Sequence, residues 1–125
     1  MSYVALATDS FDEVTAFYGD FAGFPVVDEW DRARGRSRRF DLGRGLRLEI
    51  LDNAREPVPA ALATPGDRIH LVIEVDDITS AQQRLGVDPD AVRPVSWGAS
   101  LFELRDPDGV RVTFLQWHDP KEEQP

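Results

Sequence analysis

Two parts of this chain can be laid on one another, and that match constrains the fold more than any other feature. YVALATD, Tyr3 to Asp9, falls on HLVIEVD, His70 to Asp76, and FDLGRGLRLEIL, Phe40 to Leu51, falls on FELRDPDGVRVTFL, Phe102 to Leu115, with a longer turn in the second copy. Self-similarity of this kind is the signature of a duplicated supersecondary unit, in which each copy buries its apolar face with the help of the other. The second copy is the more legible. Between Leu101 and Trp117 two alternating runs flank Asp106, Pro107, Asp108 and Gly109. Pro107 sets its own φ, the aspartates can accept from nearby backbone amides and Gly109 tolerates positive φ, so the stretch predicts a β-hairpin. On its returning strand Val110, Val112 and Phe114 point one way, and Arg111, Thr113, Leu115 and Trp117 the other.

Taken in order, the elements repeat as the superposition requires. SYVALA, from Ser2 to Ala7, alternates as a strand. A helix follows, started by Ser10 and Glu13 at capping-box spacing, faced by Phe11, Val14, Phe17, Tyr18 and Phe21, and ended by Gly23. That aromatic stripe predicts a core-facing side rather than a cofactor site. Three strands are predicted next, Val26 to Asp31, Ser37 to Leu42 and Leu46 to Leu51. Together these form module one, residues 2–51; a linker with three prolines, residues 52–67, leads to module two, residues 68–117, and a polar tail, residues 118–125. Module two carries a strand from Arg68 to Val75, a helix capped by Asp77 and closed by Gly86, a strand near Val92 to Ser96, the Trp97-Gly98 turn and the hairpin. The expectation is one domain, residues 1–125, of the α+β class, with β-α-β-β-β written twice.

Composition removes several function classes. A formal charge of -9 repels a phosphate backbone, so nucleic acid is not an expected partner and neutral or cationic ligands are favoured. With no cysteine, disulfides, thiolate metal sites and thiol nucleophiles are out. No apolar run approaches the roughly 18 residues of a membrane span, and no leader is visible, so a cytoplasmic location without membrane partners is expected. The Arg38-Arg39 pair is assigned to a solvated strand edge.

With YVALATDSFDEVTAFYGDFAGF at the start, HLVIEVDDI in the middle and WGASLFELRDPDGVRVTFLQ near the end, the chain resembles the vicinal oxygen chelate superfamily. That group includes glyoxalase I, bleomycin-resistance proteins, fosfomycin-resistance enzymes and ring-cleaving dioxygenases. The resemblance implies two tandem βαβββ modules forming a curved mixed sheet with a cleft, commonly completed in a homodimer. It also implies metal ligands on the first and last strands of each module, positions held here by Tyr3, Glu49, His70 and Thr113. A catalytic zinc or iron generally needs about three protein ligands. Glu49 and His70 alone suit a divalent ion, and a tyrosinate at Tyr3 is costly with an ordinary pKa of about 10. A divalent metal therefore has an incomplete ligand set, and no cofactor is expected.

The expected ligand-contacting residues are Tyr3, Arg47, Glu49, His70, Glu74, Trp97, Arg111 and Thr113, with Glu49 and His70 the catalytic candidates if there is chemistry. Glu49 is too expensive to bury alone, so it should meet solvent in the cleft, pair with Arg47, Arg111 or His70, or have a raised pKa. Trp30, Trp97, Trp117 and Tyr3 offer aromatic surface for a planar ligand. The first functional expectation is a metal-independent binder of a small aromatic or cationic metabolite or antibiotic. The second is an enzyme of the lyase, isomerase or dioxygenase kind using Glu49 and His70, with or without a divalent metal. A regulatory relative with a vestigial cleft is the third.

Overall fold

Alternating strands and the turns between them produce two four-stranded mixed sheets, one per module, in a computed structural model that describes residues 3–55 and 69–119. Ser2, Arg68, most of the expected linker and the tail beyond Asp119 lie outside the described residues. In module one β1 (Val4–Thr8), β2 (Val26–Arg32), β3 (Gly35–Gly43) and β4 (Leu46–Asp52) are ordered β1-β4-β3-β2. In module two β5 (His70–Glu74), β6 (Arg93–Val95), β7 (Ala99–Arg105) and β8 (Arg111–Trp117) are ordered β5-β8-β7-β6. The first strand of each module runs parallel to the last, and the other pairs are antiparallel. Ala5 lies beside Glu49 and Val72 beside Thr113, so the superposition holds for the first and last strands of each module. It is two residues out for β3: Phe40 lies opposite Leu48 but Phe102 opposite Phe114 rather than Val112, so Phe40 answers to Leu104, and the turns Asp41 to Arg47 and Arg105 to Arg111 have the same span, so the second is not the longer one expected.

Charge reinforces that register in module one. Across β2 and β3, Glu29 faces Arg38 and Asp31 faces Arg36, and Arg38 Nε donates to Glu29 at 2.9 Å. Cross-strand pairs of opposite charge are each worth a few tenths of a kcal/mol to about 1. A slip of one residue would break the Asp31-Arg36 and Glu29-Arg38 pairs and turn the strand's side chains to the wrong faces.

The helices differ in how well their ends are made. α2 (Ile78–Leu85) has the expected cap: Asp77 accepts from the backbone N–H groups of Thr79 and Ser80 at 3.0 and 3.2 Å, and Gly86 closes it at φ 67°. Those bonds hold the Asp77 carboxyl below the usual range against the opposing effect of burial. The expected Ser10-Glu13 box does not form in α1 (Phe11–Ala16), whose N-cap Ser10 makes no side-chain capping bond. Instead the Ser10 N–H donates to Thr8 Oγ1 at 2.9 Å. The helix also does not continue as an α-helix to Gly23. Residues Phe17–Phe21 form a wider π-helical turn, with Ala22 N–H donating to Phe17 O at 2.8 Å. One extra residue per turn shifts the phase of the apolar face. Ala22 is therefore buried, whereas Phe21, expected on the core stripe, stays 47% exposed.

Both modules share one core. Leu6, Val14, Phe40, Leu48 and Ile50 from the first meet Leu71, Ile73, Phe102, Val112 and Phe114 from the second. Phe24 stacks on Phe114 with ring centroids 6.2 Å apart, and Arg84 Nη1 donates to Ala22 O at 2.9 Å. On the rim Arg44, in the left-handed region at φ 51°, reaches from the β3–β4 turn to Glu74 at 3.2 Å and Asp76 at 2.6 Å.

The central polar contact joins the aromatic helix to the hairpin. Tyr18 Oη, fully buried, donates to Asp106 Oδ2 at 2.7 Å. Asp106 Oδ1 accepts from the N–H groups of Asp108 and Val110, both at 2.9 Å, so one carboxylate shapes the turn and ties the modules. Burial pushes the Asp106 carboxyl above its ordinary range, outweighing the three donors that pull it down, and burial also pushes the Tyr18 hydroxyl up.

Tyr18→Phe should cost about 1–3 kcal/mol in urea unfolding, because it leaves a buried acceptor unpaired. A raised folded-state pKa means that the group favours folding most fully below the unfolded value of about 3.9, with the contribution declining as pH rises through the folded value. Wild type should thus lose stability relative to Asp106→Asn as pH increases over that window. A pH-independent difference would contradict the assignment.

Candidate functional site

The faces turned away from the shared core carry the expected site residues, in two separate groups. Module one presents a row across its sheet. Trp30 on β2 lies opposite Ser37 on β3, and Arg39, two residues further along β3, lies opposite Glu49 on β4. Tyr3 precedes β1, and Arg47 shares the Glu49 face of β4. Arg39 Nη2 donates to Glu49 Oε2 at 2.6 Å. The same guanidinium sits 4.1 Å from the centre of the Tyr3 ring and 5.9 Å from that of Trp30. The bond to Glu49 raises the Arg39 pKa further, with burial opposing it.

This arrangement corrects two expectations. Arg39 is not on a solvated edge, because β3 lies inside the sheet and its side chain is only 22% exposed. Nor does Glu49 pair with Arg47, Arg111 or His70. The sequence held the signal in the LGRGL turn: Arg39 and Glu49 lie equally far from Arg44, so a tight hairpin about that residue sets them face to face.

Glu49 is 5% exposed and its charge is met by Arg39. Arg47 is less satisfied: its nearest carboxylate is Asp41 at 3.9 Å, beyond hydrogen-bond reach. The Nε atoms of both arginines, and Ser37 Oγ, are shielded from solvent and make no hydrogen bond among the described residues. A cavity of about 300 Å³ lies at the other face of the β2–β3 pair, where Glu29, Asp31, Arg36 and Arg38 meet Phe11 of α1, with Trp30 and Ser37 also at its wall.

Module two gathers His70, Thr113, Glu103 and Arg111. His70 Nε2 is hydrogen-bonded to Thr113 Oγ1, with Thr113 itself buried. Glu103 lies opposite Thr113 and accepts from Arg111 Nε at 3.2 Å and Nη2 at 3.0 Å. That fork holds the Glu103 carboxyl below the usual range, with Arg105 and His70 adding to the effect against burial. Two other candidates stand apart. Glu74 is engaged by Arg44 at the module boundary, and Trp97 lies on an exposed turn, edge-on to Trp117 with centroids 5.4 Å apart. His118 is held by Ser100 Oγ at 2.8 Å.

The donor set does not fit a catalytic divalent ion. Of the four positions matched to metal ligands, Glu49 is committed to Arg39 and His70 to Thr113, while Tyr3 lies under a guanidinium that would repel a cation. Among the described residues no three His, Asp or Glu side chains converge as a cluster. What the module-one face offers is aromatic surface and N–H donors.

A family model described as Glyoxalase/Bleomycin resistance protein/Dioxygenase superfamily matches residues 1–114. No curated protein matches the sequence. Among solved structures, a glyoxalase/bleomycin resistance protein/dioxygenase from Nocardioides is similar with a TM-score of 0.69 at 21% identity, over 95% of this chain and 83% of that one. TnmS3, an antibiotic binding protein from Streptomyces sp. CB03234, is similar with a TM-score of 0.63 at 18% identity, over 92% and 93% of the two chains. A lactoylglutathione lyase from Agrobacterium tumefaciens is similar with a TM-score of 0.63 at 22% identity, over 93% and 92%. At these identities the likeness is one of fold.

Breaking a buried ion pair from one side leaves an uncompensated charge, at about 3–5 kcal/mol, whereas removing both partners is often near neutral. Arg39→Met should therefore destabilise by about 3 kcal/mol in chemical denaturation, and adding Glu49→Leu should restore most of that loss. Additive losses would show that the pair is not coupled.

Proposed function

The chain belongs to the Glyoxalase/Bleomycin resistance protein/Dioxygenase superfamily, and within it we propose a metal-independent binder of a small planar aromatic molecule, a metabolite or an antibiotic. The observation that carries this reading is the fate of Glu49. A carboxylate tied to Arg39 at 2.6 Å is neither a free ligand for a cation nor a ready general base. The same pair puts Tyr3 and Trp30 around a guanidinium, which supports stacking of a planar ligand on this face. Arg39 also takes the place over Tyr3 that a cationic ligand would claim, so an aromatic ligand suits the face better than a cation. Binding needs a water-excluding surface and a few placed polar groups, both of which this face supplies.

The working unit in this reading is a cytoplasmic homodimer without nucleic-acid or membrane partners. Tyr3, Val4, Val72 and Trp97 are 37–52% exposed, apolar side chains that association could cover. Among the described residues no helix is long and apolar enough to cross a membrane. Light scattering on the purified chain should give the mass of two copies at micromolar concentration; a monomer at that concentration contradicts the dimer.

Ligand binding to the native state raises the melting temperature by mass action. A thermal-shift panel of planar aromatic metabolites and antibiotics should give at least one saturable rise, reduced in Trp30→Ala. Incubation with nickel, zinc, iron or manganese followed by desalting should leave substoichiometric metal. Retention of one metal per chain, lost in both Glu49→Gln and His70→Ala, would instead favour the enzyme reading.

A further inference from the structure

The β3–β4 and β7–β8 turns each reach into the other module, by different chemistry. The β7–β8 turn does so through Asp106 and the buried Tyr18 hydroxyl. The β3–β4 turn does so through Arg44, whose side chain is half exposed. We infer that the β3–β4 turn is an ionic clasp between the modules, closed by Arg44 on Glu74 and Asp76 at low salt and released when that attraction is screened, while the tie through Asp106 stays made. Exposed charge pairs weaken as salt rises, whereas a buried hydrogen bond is sheltered from dissolved ions.

Local energetics leave the closed clasp near balance. Among the described residues Arg44 is the only one other than glycine with positive φ, at 51°. A residue with a side chain is disfavoured there and persists where contacts elsewhere hold it. The contacts here are Arg44 Nη2 to Asp76 Oδ1 at 2.6 Å and Arg44 Nε to Glu74 Oε2 at 3.2 Å. The second is an ion pair without a hydrogen bond, since Glu74 Oε2 is shielded from solvent and unbonded. That covered oxygen gains water on opening, so it favours release, as does the backbone of Arg44. Asp76 is 95% exposed, and a pair of that kind contributes little in water. Two modest attractions thus oppose two modest costs, and screening decides between them.

The turn also has the means to move. Gly43 and Gly45 flank Arg44 at φ 94° and 84°, and a Cβ at either position would meet nothing within 4 Å. These glycines serve backbone freedom rather than close packing. Between the turn and β5 lies a cavity of about 130 Å³, walled by Leu42 and Leu46 on one side and by Val72, Ile73 and Glu74 on the other. Release of the clasp admits solvent to that cavity and to β5, the strand that also carries His70.

The chain has no cysteine, so a single introduced thiol reports local opening. Leu42→Cys puts one in the cavity wall, and Val110→Cys puts one beside the Asp106 turn, both at buried positions. Each full-length variant is treated with methyl methanethiolsulfonate, an uncharged reagent, at about 10 mM and about 1 M NaCl, between which the screening length falls from roughly 30 Å to 3 Å. Leu42→Cys should react about fivefold faster at high salt, and Val110→Cys at an unchanged rate. With Glu74→Gln and Asp76→Asn added, Leu42→Cys should react at the fast rate at both salt concentrations. Circular dichroism confirms folding, and Leu46→Cys in the same wall serves if Leu42→Cys does not fold. A salt-independent rate at the cavity, slow low-salt labelling with both carboxylates neutralised, or an equal salt response at Val110→Cys overturns the clasp.

Discussion

A single carboxylate, Asp106, holds together two things that could otherwise move independently. One oxygen organises the hairpin turn by accepting two backbone amides, and the other receives the buried Tyr18 hydroxyl from the opposite module. Hydrophobic contact between modules is large but not directional, and on its own it would tolerate small sliding of one sheet over the other. A buried hydrogen bond of fixed length does not. The shared packing of Phe24 on Phe114 and of Arg84 on the end of the wide turn is set around that fixed point.

The same turn that closes the hairpin fixes what faces what on each sheet. Hairpin geometry converts sequence distance from a turn into spatial opposition, and this is how Arg39 comes to Glu49 and Glu103 to Thr113. In module one that opposition pairs a charge with its complement; in module two it leaves Glu103 to Arg111 and Thr113 to His70. Duplicated positions thus diverged in chemistry while keeping their place, the ordinary way in which one fold comes to host different functions.

Most of the fold was legible because it rests on local rules. Period-two alternation located the strands, Asp77 and Gly86 bracketed α2, and the duplication gave the topology. The end of the first helix was not legible, because a π-helical turn is chosen by tertiary packing. Ala22 and Phe21 exchange burial for a reason that no helical-period count contains. In the site, Tyr3, Glu49, His70 and Thr113 were reached by matching copies, and the parallel registers of β1 with β4 and of β5 with β8 agree with that match. Arg39 was missed because two adjacent arginines suggest solvent, and the turn that places one of them beside a carboxylate lies five residues away. Trp97 and Glu74 stand apart from both groups, with Trp117 and Arg44 as neighbours, which alternation could not tell because it gives a face but not a neighbour.

The Arg39-Glu49 pair also bears on how such a protein can change over evolutionary time. The carboxylate at this position is masked rather than lost, since its strand, register and orientation are intact and only a cross-strand cation occupies it. A single codon change at residue 39 would unmask it, at a cost in stability that the shared core must absorb. The other module lies further from such a conversion, because Thr113 would itself have to be replaced. The two halves of one duplication therefore stand at unequal mutational distances from an unpaired carboxylate on the last strand.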